Sequence, residues 1–581
     1  MRYFEVPIAL LSLLTQSVYS HPYDNHYPPL TSPPKLDKYT NKLGAAATES
    51  EICSTIGVNI LRAGGNAADA MVAAVLCVGT IGMYHSGIGG GGFMLIHKPD
   101  GTNESAPYEY VDFRETAPAA ATEDMFKKNV SASIFGGKAS GVPGELRGLE
   151  YLHKNYGKLP WARVVRPAIS VARNGFPVNP DLVKFMKMTY IDSPDESFLV
   201  QDPSWAVDFA PSGRLVKLGE RITRKRYADT LEAIASEGVD VFYKGPIAEA
   251  TIKTLKKERG IMTTDDLKNY TVAIREPAQV NYRGGKVTST SAPASGAVVA
   301  AVLNILDGYD FLGDPRRSND SAYLLDEALK FGYGMRSNLG DPSYVKGLGK
   351  YQAQMASNET AQEIRAKLKG RPLKTDAYDP KGLESLDTPG TSHLVVMDKS
   401  GLAISLTTTV NLVFGSRVIV PETGVIMNNE MNDFSIPGES NAFGYVPSPA
   451  NFIRPGKRPL SSIADTIVEG PDGKVSLVTG AAGGSRITTS TIQVVLNALE
   501  KNMTVHEALA APRLHDQLIP RQISFEYTFD NSTVAYLKGI GNNVTWVAPG
   551  QSSAQALSRS QDGFFDAAGE PRQASSGGYS T

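Results

Sequence analysis

The chain has 581 residues, 41% of them hydrophobic and 20% charged, with a formal net charge of −2. That length and apolar content are ample for a large core. The near-neutral balance excludes a global field that would recruit nucleic acid or an acidic membrane surface.

In chain order, residues 1–20 read as a signal peptide. Arg2 gives a weak positive start, Val6 to Leu14 is a short apolar run, and Val18 and Ser20 are small residues before a cleavage point at His21. An uncleaved anchor is the other reading, although the run is short for a bilayer. Residues 21–41 are rich in Pro, Tyr and polar side chains and read as a flexible leader. Eight N-x-Ser/Thr triplets, at Asn103, Asn129, Asn269, Asn319, Asn358, Asn502, Asn531 and Asn543, are glycosylation candidates. Together these features point to the secretory pathway, with export, cell wall and vacuole left open as destinations.

Glu49 to Ala63 suits a helix, with Ala47 and Thr48 leading in; Gly64 to Asn66 is a turn. Ala67 to Val78 is an almost wholly apolar helix with no face left for water. Cys53 and Cys77 fall on these successive helices. A disulfide between them is expected in an oxidising compartment, two buried thiols being the alternative. Two cysteines are too few for a zinc–cysteine cluster, and the eight histidines lack ligand spacing, so no metal site is expected. The glycine run at Gly87 and Gly89 to Gly92 is not a phosphate loop, because no Gly-Lys-Ser/Thr follows. It marks close backbone approach. Strands are predicted at Phe93 to His97 and Tyr110 to Phe113. From Gly141 to about Gly382 the pattern is mostly helical, with amphipathic pieces at Leu146 to Asn155, Trp161 to Asn174 and Tyr227 to Glu237. After residue 390 β-branched strands take over, at Ser392 to Met397, Leu402 to Thr409 and Val475 to Thr479, followed by a helix at Thr488 to Leu499. Val534 to Leu537, Thr545 to Ala548 and Asp562 to Ala567 read as late sheet elements, and the polar tail from Gly569 reads as frayed. The alternation fits layered α and β structure around a mixed or antiparallel sheet.

Thr391 follows the turn-prone Asp387-Thr388-Pro389-Gly390 and precedes a strand. A threonine hydroxyl needs a base to become a nucleophile. A free α-amine, with a reference pKa of about 7.7 to 8.0, would supply one in place. By spacing alone Thr391 is one threonine among many.

Longer segments decide the matter. Val111 to Pro118, Gly89 to Phe93, Asp387 to His393, Thr407 to Asn411, Phe414 to Ser416, Asn428 to Phe434, Arg458 to Ser462 and Gly480 to Ser485 occur in the order of one family. Through them nearly the whole chain after the leader resembles the γ-glutamyltranspeptidases, within the N-terminal-nucleophile hydrolases. The resemblance implies an α+β fold of four layers, αββα, built from an autoprocessed precursor. Thr391 would attack the Gly390 carbonyl, leaving a large chain (42–390 beyond the leader) and a small chain (391–581) in one globular unit. It implies a γ-glutamyltransferase and glutathione hydrolase that passes a γ-glutamyl group from glutathione or another γ-glutamyl donor to water, an amino acid or a dipeptide, with no cofactor. Thr391 would be the nucleophile, oriented by Thr409, with Gly483 and Gly484 as oxyanion donors. Arg114, Ser461 and Ser462 would hold the α-carboxylate, and Glu430, Asp433 and Asn411 the α-ammonium. Two rivals stay open: a related acylase or amidase, and a catalytically silent secreted scaffold.

Overall fold

Two antiparallel sheets stack face to face with helices on both outer surfaces. The computed structural model describes residues 41–99, 107–379, 381, 390–438 and 447–581. The expected signal peptide, all of the leader but Asn41, Asn103 and the Asp387 to Pro389 approach to Thr391 lie outside the described residues.

The first sheet runs Gly577–Ser580, Gly44–Thr48, Ser392–Asp398, Ala403–Thr409, Gly91–His97, Tyr108–Asp112 and Ala273–Arg275, in spatial order. The second runs Phe565–Ala568, Ser553–Arg559, Val475–Ala482, Thr466–Glu469, Gly285–Ser289 and Ala278–Tyr282. Every neighbouring pair in both sheets is antiparallel. Val475–Ala482 and Ser553–Arg559 pack on Ser392–Asp398, so the sheets share one interior. Helices Glu51–Arg62 and Ala67–Ile81 cover the first sheet; Gly296–Leu306 and Arg486–Glu500 cover the second. This is the expected αββα order, and the described residues belong to one compact unit.

Local chemistry explains the outer helices. Asn66 accepts from the Asp69 amide, and the Asp69 carboxylate accepts from the Asn66 amide. Such a reciprocal cap stabilises a helix start by about 1 kcal/mol. Every residue from Ala67 to Ile81 is buried, as its composition requires. Cys53 and Cys77 form the expected disulfide, with 5.4 Å between their Cα atoms, and tie the two helices together. The glycine run does what its composition suggests. A Cβ on Gly90 or Gly92 would run into the carbonyl oxygens of Thr409 and Thr407, so these glycines let the Gly91–His97 strand and its approach lie against Ala403–Thr409.

Several expectations need correction. Ala47 and Thr48 do not lead into a helix; Gly44–Thr48 is a buried strand between Gly577–Ser580 and Ser392–Asp398. The helical stretch from 141 to 382 also contains the strands Ala273–Arg275, Ala278–Tyr282 and Gly285–Ser289. Val534 to Leu537 is helical, inside Asn531–Gly539. Asp530 caps that helix at the Thr533 amide, and Val534 and Leu537 are buried at helical spacing. The tail is not frayed, because Gly577–Ser580 completes the first sheet. Gly578 lies so close to the Ala567 backbone that a Cβ would sit 2.5 Å from it. Main-chain pairing, which needs no apolar side chain, holds this strand.

Candidate active site

The sequence around Thr391 produces the site by strand alternation. Thr391 opens the Ser392–Asp398 strand, which pairs with Ala403–Thr409 in a register that sets Thr408 against Ser392 and Thr407 against His393. Continued by one residue, that register brings Thr409 opposite Thr391. Ser392 and Thr408 project to the other face, where they donate to Glu49 and Glu145. Gly390 has φ +136°, and a Cβ there would collide with the Asn411 carbonyl oxygen. Only glycine fits directly before the threonine.

One small cavity gathers most of the expected residues. Thr391, Gly390, Thr409 and Asn411 form one wall. Arg114, Glu430 and Asp433 form the second, and Ser461, Ser462 and Gly484 the third. Gly483 does not line the cavity. It backs onto Gln551 and Ser552, where a Cβ would lie 2.7 Å from the Gln551 carbonyl oxygen. Gly484 makes the turn from the Val475–Ala482 strand into the Arg486–Glu500 helix with φ +62°, so the cavity abuts the positive end of a helix.

Thr391 is only 5% exposed. The Thr409 hydroxyl accepts from the Asn411 amide at 2.7 Å, leaving its proton for another partner. Asn411, at φ +69°, donates its side-chain amide to the Asn429 carbonyl at 3.0 Å. The Ser461 hydroxyl accepts from the Ile463 amide at 3.2 Å.

The charged wall is unusual in composition. Arg114 is buried and forms ion pairs with both Glu430 and Asp433. Burial pulls its guanidinium down, but Glu430, Asp433 and Glu115 outweigh that and hold it above the usual arginine range. Burial also pushes Glu430 well above the usual carboxylate range. Arg114 opposes that rise, while Glu115 and Asp433 add to it. Glu115 is raised too, by burial first, with Arg114 again opposing. An ion pair alone would lower Glu430, so burial, helped by the neighbouring carboxyl groups, wins there. Three carboxyl groups around one guanidinium leave room for another cation.

Sequence reasoning gave no role to several residues found here. Glu115 lies inside the Val111 to Pro118 segment and abuts the charged wall. Ile463 and Ile487 supply apolar lining. His393 bonds Thr407, whose hydroxyl donates to Asp465 at 2.5 Å, which extends a polar row from the site into the space between the sheets. Arg336 and Ser295 stand behind Ser461 and Ser462. No short motif carries these last two, because they reach the site only through tertiary packing. Among the described residues no group of His, Cys, Asp or Glu could hold a metal ion.

The chain matches the family model described as Gamma-glutamyltranspeptidase over residues 53–579. It is 53% identical to a glutathione hydrolase proenzyme of Arthroderma benhamiae over 559 residues, covering 93% of each chain. Among solved structures it is similar to a cephalosporin acylase from Bacillus halodurans, with TM-score 0.78, 25% identity, and 93% of this chain and 96% of that one covered. It is also similar to the Helicobacter pylori gamma-glutamyltranspeptidase, with TM-score 0.51 and 31% identity over 56% of this chain and 92% of that one.

Proposed function

Because the chain belongs to the gamma-glutamyltranspeptidase family, we infer that it is a γ-glutamyltransferase and glutathione hydrolase whose catalytic threonine is Thr391. The observation that carries this reading is the cavity that joins Thr391 to a buried arginine and two buried carboxylates.

The precursor first acts on itself. The Thr391 hydroxyl attacks the Gly390 carbonyl, the peptide nitrogen leaves as the new α-amine, and water opens the resulting ester. The large chain then ends at Gly390 and the small chain begins at Thr391. The freed amine serves as a built-in base for the hydroxyl, directly or through a water.

In turnover the γ-glutamyl head group enters the charged wall as a zwitterion. Its α-carboxylate takes the Arg114 fork, which suits planar bidentate pairing, with the Ser461 and Ser462 hydroxyls adding donors. Its α-ammonium, with three donors, takes Glu430, Asp433 and the Asn411 side-chain oxygen. Each half of the ligand replaces the partner it removes from the Arg114 ion pairs, so no buried charge is left alone. The γ-carbonyl then faces Thr391. The Gly484 amide, beside Gly483 and the helix start, meets the negative charge that develops on it. One such donor is worth about 3 kcal/mol of barrier. Cysteinylglycine leaves glutathione, and water, an amino acid or a dipeptide accepts the γ-glutamyl group.

The same wall separates this reading from a glutaryl-type acylase, whose substrate has no ammonium for Glu430 and Asp433 to receive. A silent scaffold would have no use for the cavity. Passage through the secretory pathway is supported by the Cys53–Cys77 bridge and by the surface position of Asn129, Asn269, Asn358, Asn502, Asn531 and Asn543. Asn319 is half-buried and is the poorest candidate for a glycan.

The test is to incubate the purified protein with glutathione, with and without glycylglycine, and identify products by mass. Glutamate and cysteinylglycine are expected, plus γ-glutamylglycylglycine when the acceptor is present. Thr391→Ala is expected to leave an uncut, inactive chain. A Thr391→Ala protein that still splits before residue 391 defeats the reading.

A further inference from the structure

The two serines at the carboxylate end of the cavity are held from behind by the last turn of the helix Ser318–Arg336. Arg336 is 3% exposed. Its Nη2 donates to the Ser462 hydroxyl at 2.9 Å, and its Nε donates to the Ser295 hydroxyl at 2.8 Å. Ser295 in turn donates to the Ser461 carbonyl at 2.5 Å. One turn earlier, Tyr333 donates to the Ser485 carbonyl, beside Gly484. Arg336 also feels the Asp433 carboxylate and the Arg114 guanidinium, so it belongs to the same electrostatic unit as the charged wall.

An arginine can only donate. A hydroxyl that accepts from it must send its own proton elsewhere. For Ser462 the open direction is the cavity it lines. The Ser461 hydroxyl is treated likewise by the Ile463 amide, and its carbonyl is fixed by Ser295. Both serines therefore present protons to the cavity, and both settings trace to fixed donors behind the wall. A hydroxyl free to rotate would offer lone pairs as often as a proton.

We propose that Arg336 is a positioning residue for the γ-glutamyl α-carboxylate: it commits the Ser462 hydroxyl, and through Ser295 the Ser461 segment, to donating toward that group. The inference rests on the site being a γ-glutamyl pocket, and it adds a specificity element that Arg114 alone does not provide.

The experiment compares two donors on the self-processed enzyme, γ-glutamyl-p-nitroanilide and 4-aminobutyryl-p-nitroanilide. The second keeps the amine but lacks the α-carboxylate. For Arg336→Met, kcat/KM for the first donor is expected to fall roughly tenfold to a hundredfold, mostly through KM, while the second changes by less than about threefold. In the Ser462→Ala background, Arg336→Met is expected to cost several-fold less than it does in wild type, since one of its two routes is already removed and only the one through Ser295 remains. Equal losses on both donors, or losses that multiply in the double variant, overturn the proposal. Should Arg336→Met fail to self-cleave, Ser295→Ala carries the test. A smaller loss selective for the carboxylate-bearing donor supports the relay, and an unselective or absent loss refutes it. A wild-type enzyme inert toward the γ-glutamyl donor would instead strike the underlying reading, so the two failures are distinct.

Discussion

At the scale of single residues, the site works by matching charge and donor geometry in a place that excludes water. Arg114 is its pivot, held by two ion pairs and by donation from its backbone amide to Asp112 at 3.0 Å. Lysine would keep the charge but lose the fork that serves two carboxyl groups at once. Breaking such a buried arrangement costs about 3 kcal/mol or more. Arg114→Lys is therefore expected to lower kcat/KM for γ-glutamyl donors by about a hundredfold while self-cleavage continues. Steady-state kinetics on processed protein checks both halves, and unchanged kinetics would remove Arg114 from its role. Most of this wall was legible in the sequence. Thr391, Arg114, Glu430, Asp433, Ser461 and Ser462 sit in segments that the family resemblance singles out, whereas residue type and spacing alone left Thr391 one threonine among many. Glu115 was visible but mute, because nothing local distinguishes a surface glutamate from one buried among like charges. Arg336 was invisible, since its contacts lie 41 and 126 positions away in the chain.

At the scale of elements, alternation along Ser392–Asp398 and Ala403–Thr409 divides labour between the two faces of one sheet. The inner face carries Thr391 and Thr409, the proposed nucleophile and the residue proposed to orient it. The outer face buries Glu145 under Thr408, whose hydroxyl bonds both carboxyl oxygens at 2.9 Å. Burial pushes Glu145 up to about 8, against the pull of Thr408. A carboxyl group raised in the fold favours the folded state fully below the ordinary carboxylate range. That contribution is lost as pH climbs from about 4.5 toward 8, by at most about 1.4 kcal/mol per pH unit. Glu145→Gln keeps the acceptor and removes the titration. Its melting temperature is expected to equal wild type near pH 4 and to exceed it by several degrees at pH 9; parallel curves would contradict this. The approach to the same strand gives a second test. Gly390→Ala forces a Cβ against the Asn411 carbonyl at a positive φ. It should slow self-cleavage severely, which a denaturing gel followed over time would reveal as persistent full-length chain. Strands rich in β-branched residues were readable as strands. Gly44–Thr48 and Gly577–Ser580 were not, because small residues carry no alternating apolar signal and their pairing is decided by the main chain.

At the scale of the whole molecule, the proposed cut before Thr391 would fall within a shared fabric. In the first sheet, Ser392–Asp398 and Ala403–Thr409 from the small chain lie between Gly44–Thr48 and Gly91–His97 from the large one. In the second sheet, Gly285–Ser289 from the large chain pairs with Thr466–Glu469 from the small. The two products are expected to co-elute as a one-to-one unit under native conditions and to part only in denaturant; separate native peaks would show that the sheets do not hold them. The edge strand Gly577–Ser580 adds a clasp. It lines up along Gly44–Thr48, and the Leu43 amide donates to the Thr581 carbonyl at 2.7 Å. The large chain's Gly44–Thr48 is therefore gripped on both edges by strands that would belong to the small chain, Ser392–Asp398 on one side and Gly577–Ser580 on the other. Removing residues 577–581 is expected to loosen that clasp and lower the melting temperature of the processed protein; an unchanged melting curve would show the outer strand to be idle.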